Sequence, residues 1–145
     1  MKEAPQRERS AVERVDVEGE ARWMLESDSR TAADEAADSV NLLPHFDVFV
    51  VGSHPRAQLL DADSAVARLS PGTAAGFAVI LVGGRVSGVW ERRPKGKRLL
   101  VRADPSRPLN RAQIRALEAQ AHRVAEILER ECEFELGPVE LRPHL

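Results

Sequence analysis

Leu42-Leu43-Pro44-His45-Phe46-Asp47-Val48-Phe49-Val50-Val51-Gly52 is the stretch on which the fold turns. It is the densest apolar run in the first half of the chain and holds two of the four phenylalanines. It falls short of the roughly 20 apolar residues that span a bilayer. Val48 to Val51 is β-branched and aromatic, which predicts a strand buried on both faces. A short buried helical turn after Pro44 is the alternative, because periodicity cannot separate the two at this length. Pro44 has a fixed φ and no N–H, so it marks a bend or a sheet edge. Gly52-Ser53-His54-Pro55 ends the run.

Working outward toward the C-terminus, Asp61 or Asp63 is placed to cap a short helix that turns Val66 and Leu69 inward. Phe77-Ala78-Val79-Ile80-Leu81-Val82 reads as a strand buried on both faces. Gly83-Gly84 is a two-residue hairpin turn, since the favoured type needs positive φ at both positions. Arg85 to Glu91 returns, and Gly88 inside it predicts a bulge or a close backbone approach. Pro94-Lys95-Gly96-Lys97 turns again into a third strand, Arg98 to Arg102, giving an antiparallel meander. Asn110 and Gln113 have the spacing of a capping box, with Leu109 and Ile114 as its hydrophobic staple. Ile114, Leu117, Ala121, Val124 and Leu128 form one apolar stripe on the helix that follows, with Glu126 and Arg130 as an i,i+4 pair. Cys132 to Leu136 alternates and reads as an edge strand.

Toward the N-terminus, Ala11 to Leu25 reads as a hairpin turning at Glu18-Gly19-Glu20. A lone hairpin is marginal in water, so it is expected to join a larger sheet, with Trp23 buried or half-buried. Residues 1–10 are polar with no apolar period and read as a disordered lead-in. Residues 11–145 then make one β-rich domain, which suits a chain of 145 residues. The expected fold class is α+β. A mostly antiparallel sheet, curled into a partial β-barrel, packs against one long C-terminal helix over Asn110 to Glu131.

The composition narrows the function. Net charge is −2 and the pI about 6.1, so any polyanion binding must come from a local patch. Up to residue 40 there are eleven acidic and six basic residues, so that end repels phosphate. The patch lies between Arg85 and Arg102, where Arg85, Arg92, Arg93, Lys95, Lys97, Arg98 and Arg102 face Glu91 alone. Clustered at a hairpin tip, Arg92, Arg93, Lys95, Lys97 and Arg98 suit contact with a phosphate backbone. A charged edge that discourages aggregation is the plainer account of the same residues. His45, Asp47 and His54 form the one polar cluster with acid–base or metal-ligand character. On a strand His45 and Asp47 would share a face. Asp47 as a backbone-bonding turn residue is the plainer account there too. The single cysteine, Cys132, excludes an internal disulfide and a cysteine-based zinc site, fits a reducing cytoplasm, and alternates with Phe134 and Leu136 like a core residue. No apolar run with basic flanks lies near the N-terminus, so neither a signal peptide nor a membrane span is expected, and the sequence holds no nucleophile elbow or phosphate-binding glycine loop. No catalytic residue, metal or cofactor is assigned.

Leu42-Leu43-Pro44-His45-Phe46-Asp47 with Val50-Val51-Gly52, followed by Val82-Gly83-Gly84-Arg85-Val86-Ser87-Gly88-Val89-Trp90, resembles the C-terminal part of winged-helix DNA-binding proteins that include the alkylpurine and crosslink-repair DNA glycosylases. The resemblance runs from about Val12 to Leu128. Members of that family are several-fold longer, with tandem winged helices in front. Their catalytic motif there is a Gln-apolar-Gln or Gln-apolar-Asp tripeptide. Gln6, Gln58, Gln113 and Gln120 lie in no such tripeptide. The resemblance therefore implies duplex DNA as partner, with little sequence preference, and no catalytic site in this chain. Two other expectations stand beside a DNA-binding module. One is a non-catalytic fragment of a glycosylase whose active site lies in an upstream winged-helix portion. The other is a structural domain that needs a partner chain.

Overall fold

The structure is a computed structural model, and it describes residues 12–17, 19–26, 39–53, 56–61 and 76–140. Residues 1–10, Asp63, Val66 and Leu69 lie outside the described residues. The chain divides into two compact units, Met1–Ala33 and Asp34–Leu145. Among the described residues no helix is long and apolar enough to cross a membrane.

In the first unit β1 (Val12–Val17) and β2 (Glu20–Leu25) form the expected hairpin, paired from Val12 with Leu25 to Val17 with Glu20. Asp16 Oδ1 accepts the Gly19 N–H across the turn at 2.9 Å. Among the described residues this sheet has two strands, so the expected union with a larger sheet is not observed. Trp23 is 69% exposed rather than buried. Charges explain both results. Arg14 and Asp16 interrupt one face and Glu13, Arg22 and Glu20 the other, so neither offers a continuous apolar surface to a second layer.

The second unit is α+β. Five strands, β3 (Val40–Leu43), β4 (Val79–Val82), β5 (Arg85–Lys95), β6 (Arg98–Pro105) and β7 (Glu131–Leu136), lie side by side in chain order. The sheet is curled into half a barrel. Neighbours from β3 to β6 are antiparallel, and β7 runs parallel to β6. A parallel neighbour needs a crossover, and α2 (Arg111–Ile127) supplies it. The Gly83-Gly84 turn has the required positive φ at both residues, 59° and 78°. Alternate residues of β4 enter different layers, which is why its sequence is apolar throughout. Ile80 and Val82 join Leu42, Trp90, Leu99 and Val101 beneath Leu117, Ala121 and Ala125 of α2. Val79 and Leu81 join Val86 and Val89 on the other face, under Val50, Leu59 and Leu60.

The opening stretch divides at Pro44. Leu42 and Leu43 end β3, but Val48–Gly52 is a five-residue helix, α1, and not the expected strand. Asp47 decides this. Its Oδ1 accepts the Phe49 N–H at 2.9 Å and its carbonyl accepts the Val51 N–H at 2.9 Å, so a capped helical turn satisfies donors that a strand would leave for a partner. The expected cover on both faces is also absent. Val50 is 1% exposed, whereas Val48, Phe49 and Val51 are 85%, 46% and 45% exposed.

Gly88 sits at an irregularity, as expected. The β4–β5 register passes from Ile80 opposite Gly88 to Leu81 opposite Val86, leaving Ser87 as the extra residue of a bulge. Ser87 is fully buried, and its hydroxyl donates to Asp61 Oδ2 at 2.9 Å. Asp61 is held there by its own N–H to the Val86 carbonyl, and Arg107 Nε lies 3.2 Å from its carboxylate. Asp61 therefore clamps the bulge, and the helix it was expected to cap lies outside the described residues.

The α2 capping box is complete. Asn110 Oδ1 accepts the Gln113 N–H at 2.9 Å, and Gln113 Oε1 accepts the Asn110 N–H at 3.1 Å. Asn110→Ala removes the acceptor and is expected to cost about 1 kcal/mol, read as a lower urea midpoint, with Asn110→Ser restoring most of it. The helix ends at Ile127, short of Glu131. Arg130 N–H bonds to the Ala125 carbonyl and Glu129 N–H to that of Glu126, the double closure of a Schellman end, with Glu129 at φ 54°. Leu128 is thus an exposed cap residue and not part of the apolar stripe. Arg130 lies beyond the helix and away from an i,i+4 pairing with Glu126. Its Nη1 donates to the Gly96 carbonyl at 2.8 Å.

Candidate nucleic-acid interface

The β5–β6 hairpin carries the basic cluster, and strand alternation sorts it onto two faces. Glu91, Arg93 and Lys95 of β5 and Arg98 and Arg102 of β6 lie on the face away from α2. Trp90, Arg92 and Pro94 lie on the α2 side, opposite Ala103, Val101 and Leu99. Arg85 is at the far end of β5, paired with Val82, so it is not part of the tip.

The face away from α2 is not a bare row of cations. Parallel pairing sets Glu131, Glu133 and Glu135 of β7 opposite Arg98, Leu100 and Arg102. Lys95 Nζ reaches Glu133 Oε1 at 2.7 Å, and Arg98 lies 3.5 Å from Glu131 and 3.7 Å from Glu133. Arg102 bonds Glu135 and lies 3.4 Å from Glu91, and Arg93 Nη2 is 2.8 Å from Glu91. Four of the six cations from Arg92 to Arg102 thus meet four carboxylates. Among the described residues, Arg92 and Lys97 are the two cations of the hairpin with no carboxylate partner.

Glu133 is the centre of this lattice. The Lys95 hydrogen bond, opposed by some desolvation and helped by the charges of Lys95 and Arg98, holds its carboxyl below the usual range. Its Oε2 is closed off from solvent without a hydrogen bond. A carboxyl lowered on folding stabilises the fold above its ordinary pKa, and that contribution is lost as pH falls through the lowered value.

Two members of the polar cluster lie among the described residues. His45 lies in the turn after Pro44, Asp47 caps α1, and His54 lies outside the described residues. The strand on which His45 and Asp47 would share a face is replaced by this turn. Among the described residues no three His, Cys, Asp or Glu side chains converge to hold a metal. Cys132 packs against the α2-side core, and burial, with Glu118 nearby, pushes its thiol up, away from the reactive thiolate.

A feature not foreseen from sequence lies beside the hairpin. Leu42, Pro44, His45, Trp90, Arg92 and Val124 line a hollow of about 470 Å³. The Trp90 indole N–H donates to the Leu43 carbonyl at 2.8 Å, which fixes the ring as part of its wall. Apolar side chains drawn from β3, β5 and α2 announce a core in the sequence and do not reveal a space between them.

Comparison with known proteins places this geometry. The family model described as DNA glycosylase AlkZ-like matches residues 1–127. The structure is similar to the Streptomyces sahachiroi DNA glycosylase AlkZ, with a TM-score of 0.58 and 24% sequence identity. The match covers 87% of this chain and 33% of that one, so the chain spans about a third of the solved glycosylase's length. Comparison with curated proteins finds no match.

Proposed function

We propose, on the premise that this chain belongs to the AlkZ-like DNA glycosylase family, that it is a duplex-contacting module of DNA repair which grips the phosphate backbone through the β5–β6 hairpin. The observation that carries this is the pair Arg92 and Lys97, two exposed cations left over when the carboxylates of the hairpin and β7 have been matched. Uncompensated charge on a rigid hairpin is attracted to any phosphate and carries little sequence information. Arg93, Lys95 and Arg98 reach phosphates only by exchanging a carboxylate for one. DNA repair in a reducing cytoplasm agrees with the lone partly buried thiol.

The test is a titration of duplex DNA over a range of salt. Binding should weaken linearly on a log–log plot, and Lys97→Gln should reduce the slope by about one and the affinity several-fold at about 0.1 M salt. An affinity that does not respond to salt, or to Lys97, would overturn the proposal.

A second reading comes from length. The chain spans about a third of the solved glycosylase, so base excision would draw on residues outside it. Phe46, Val48, Phe49 and Val51, all more than 40% exposed around α1, offer such a portion or a partner chain an apolar contact. Under this reading the chain alone releases no base from alkylated DNA.

A further inference from the structure

We infer that the hollow beside the hairpin is a nucleotide subsite, which takes an unpaired base against Trp90 and Val124 while Arg92 holds the adjoining phosphate. This rests on the DNA-contact proposal and adds a ligand and a face to it. Three observations converge. The hollow's volume of about 470 Å³ falls within the roughly 300–1,000 Å³ of small-molecule pockets. Most of its lining is apolar, from Leu42, Pro44, Ala78, Trp90 and Val124 with His45 beside them, and so suits a flat ring system. At its rim stands Arg92, which has no carboxylate partner among the described residues, so an anion there displaces nothing. Glu91 also borders the space, but its oxygens are engaged by Arg93 and Arg102. A ligand that joins a flat apolar ring to one anionic group, a short covalent distance apart, matches this arrangement, and a nucleotide is that ligand in a DNA-binding chain.

The neighbouring space at the hairpin tip lacks this match. It is larger, about 800 Å³, but Glu126, Glu129, Arg130 and Glu131 line it with Leu128 as the one large apolar side chain, so a base entering it meets charged groups in place of an apolar wall. The base-accepting position is therefore on the α2 side of the sheet, the side from which Arg92 projects. A paired base, stacked in a duplex, does not present its ring to this hollow. Single-stranded or locally unpaired DNA does.

The experiment uses the full chain carrying Trp23→Phe, so that emission reports Trp90 alone. It is titrated with a short single-stranded oligothymidylate and with an abasic oligomer of equal length and charge. The base-bearing strand should change the Trp90 emission and bind about ten-fold tighter than the abasic one. Arg92→Gln should remove most of that binding, and Val124→Phe, which fills the hollow, should erase the preference for bases while leaving the abasic affinity in place. Arg115→Gln, on the exposed side of α2, should change nothing. Equal binding of the two strands with no change in Trp90 emission, or equal losses from Arg92→Gln and Arg115→Gln, would overturn the subsite. Salt-dependent duplex binding that survives such a result leaves the broader proposal standing, whereas loss of all polyanion binding removes both.

Discussion

Gly88→Ala is expected to destabilise the second unit by roughly 3 kcal/mol, and Gly88→Val by more. A Cβ at this position would stand 2.5 Å from the Asp104 carbonyl oxygen, 2.8 Å from Pro105 Cα and 3.1 Å from Ile80 Cδ1. Two of these three neighbours are backbone, so no side-chain rotation relieves the overlap. The strands must part where β5 pairs with the end of β6, and Gly88 faces Pro105 there. Displacement also reaches Ser87, whose buried hydroxyl would lose Asp61 as acceptor. Thermal unfolding followed by circular dichroism should show a fall of roughly 10 °C for the alanine variant. Gly52→Ala is the comparison, because nothing lies within 4 Å of a Cβ there. A Gly88→Ala midpoint matching that of Gly52→Ala would show that β5 and β6 do not approach so closely.

Glu133→Gln is expected to strengthen duplex DNA binding by roughly ten- to sixty-fold at about 0.1 M salt. The carboxylate occupies Lys95 and Arg98 together, so neutralising it releases Lys95 and leaves Arg98 only its exposed contact with Glu131, which a phosphate can replace. Each cation that finds a phosphate adds about 0.9 to the log–log salt slope, which at about 0.1 M salt is a factor of roughly eight. The slope should therefore steepen by one to two, and the gain should fade as salt is raised. The fold should tolerate the change, since exposed ion pairs contribute little and glutamine keeps one acceptor for Lys95. Unchanged affinity with an unchanged slope would mean that the face carrying β7 never meets DNA, and would leave Arg92 and Lys97 to act from the other side.

Where patterns are local the sequence was legible. The meander from Phe77 to Arg102, the glycine turn and the Asn110–Gln113 box each depend on residues within a few positions of one another, and each is present. Val48 to Val51 misled because β-branched side chains favour a strand on average, whereas one carboxylate, Asp47, settles a stretch too short for averages. The charge lattice was hidden for another reason. Glu131, Glu133 and Glu135 are some thirty residues from the cations they meet, and only the parallel pairing of β7 with β6 brings them together. Counted along the chain, the segment from Arg85 to Arg102 looks strongly basic. Folded, Lys95, Arg98 and Arg102 are answered from the neighbouring strand and Arg93 by Glu91. The hollow is still less legible, because β3, β5 and α2 line it together, which no local pattern of residue types reveals.

The hydrogen bond from Arg130 to the Gly96 carbonyl ties the tip of the hairpin to the far end of α2. A tip anchored in this way is restrained against the body behind it. Part of the freedom that a loose loop would lose on meeting a target is given up during folding. Under the proposed DNA contact, the hairpin would meet the polyanion as a preset template, and the polymer would be the partner that adjusts its shape.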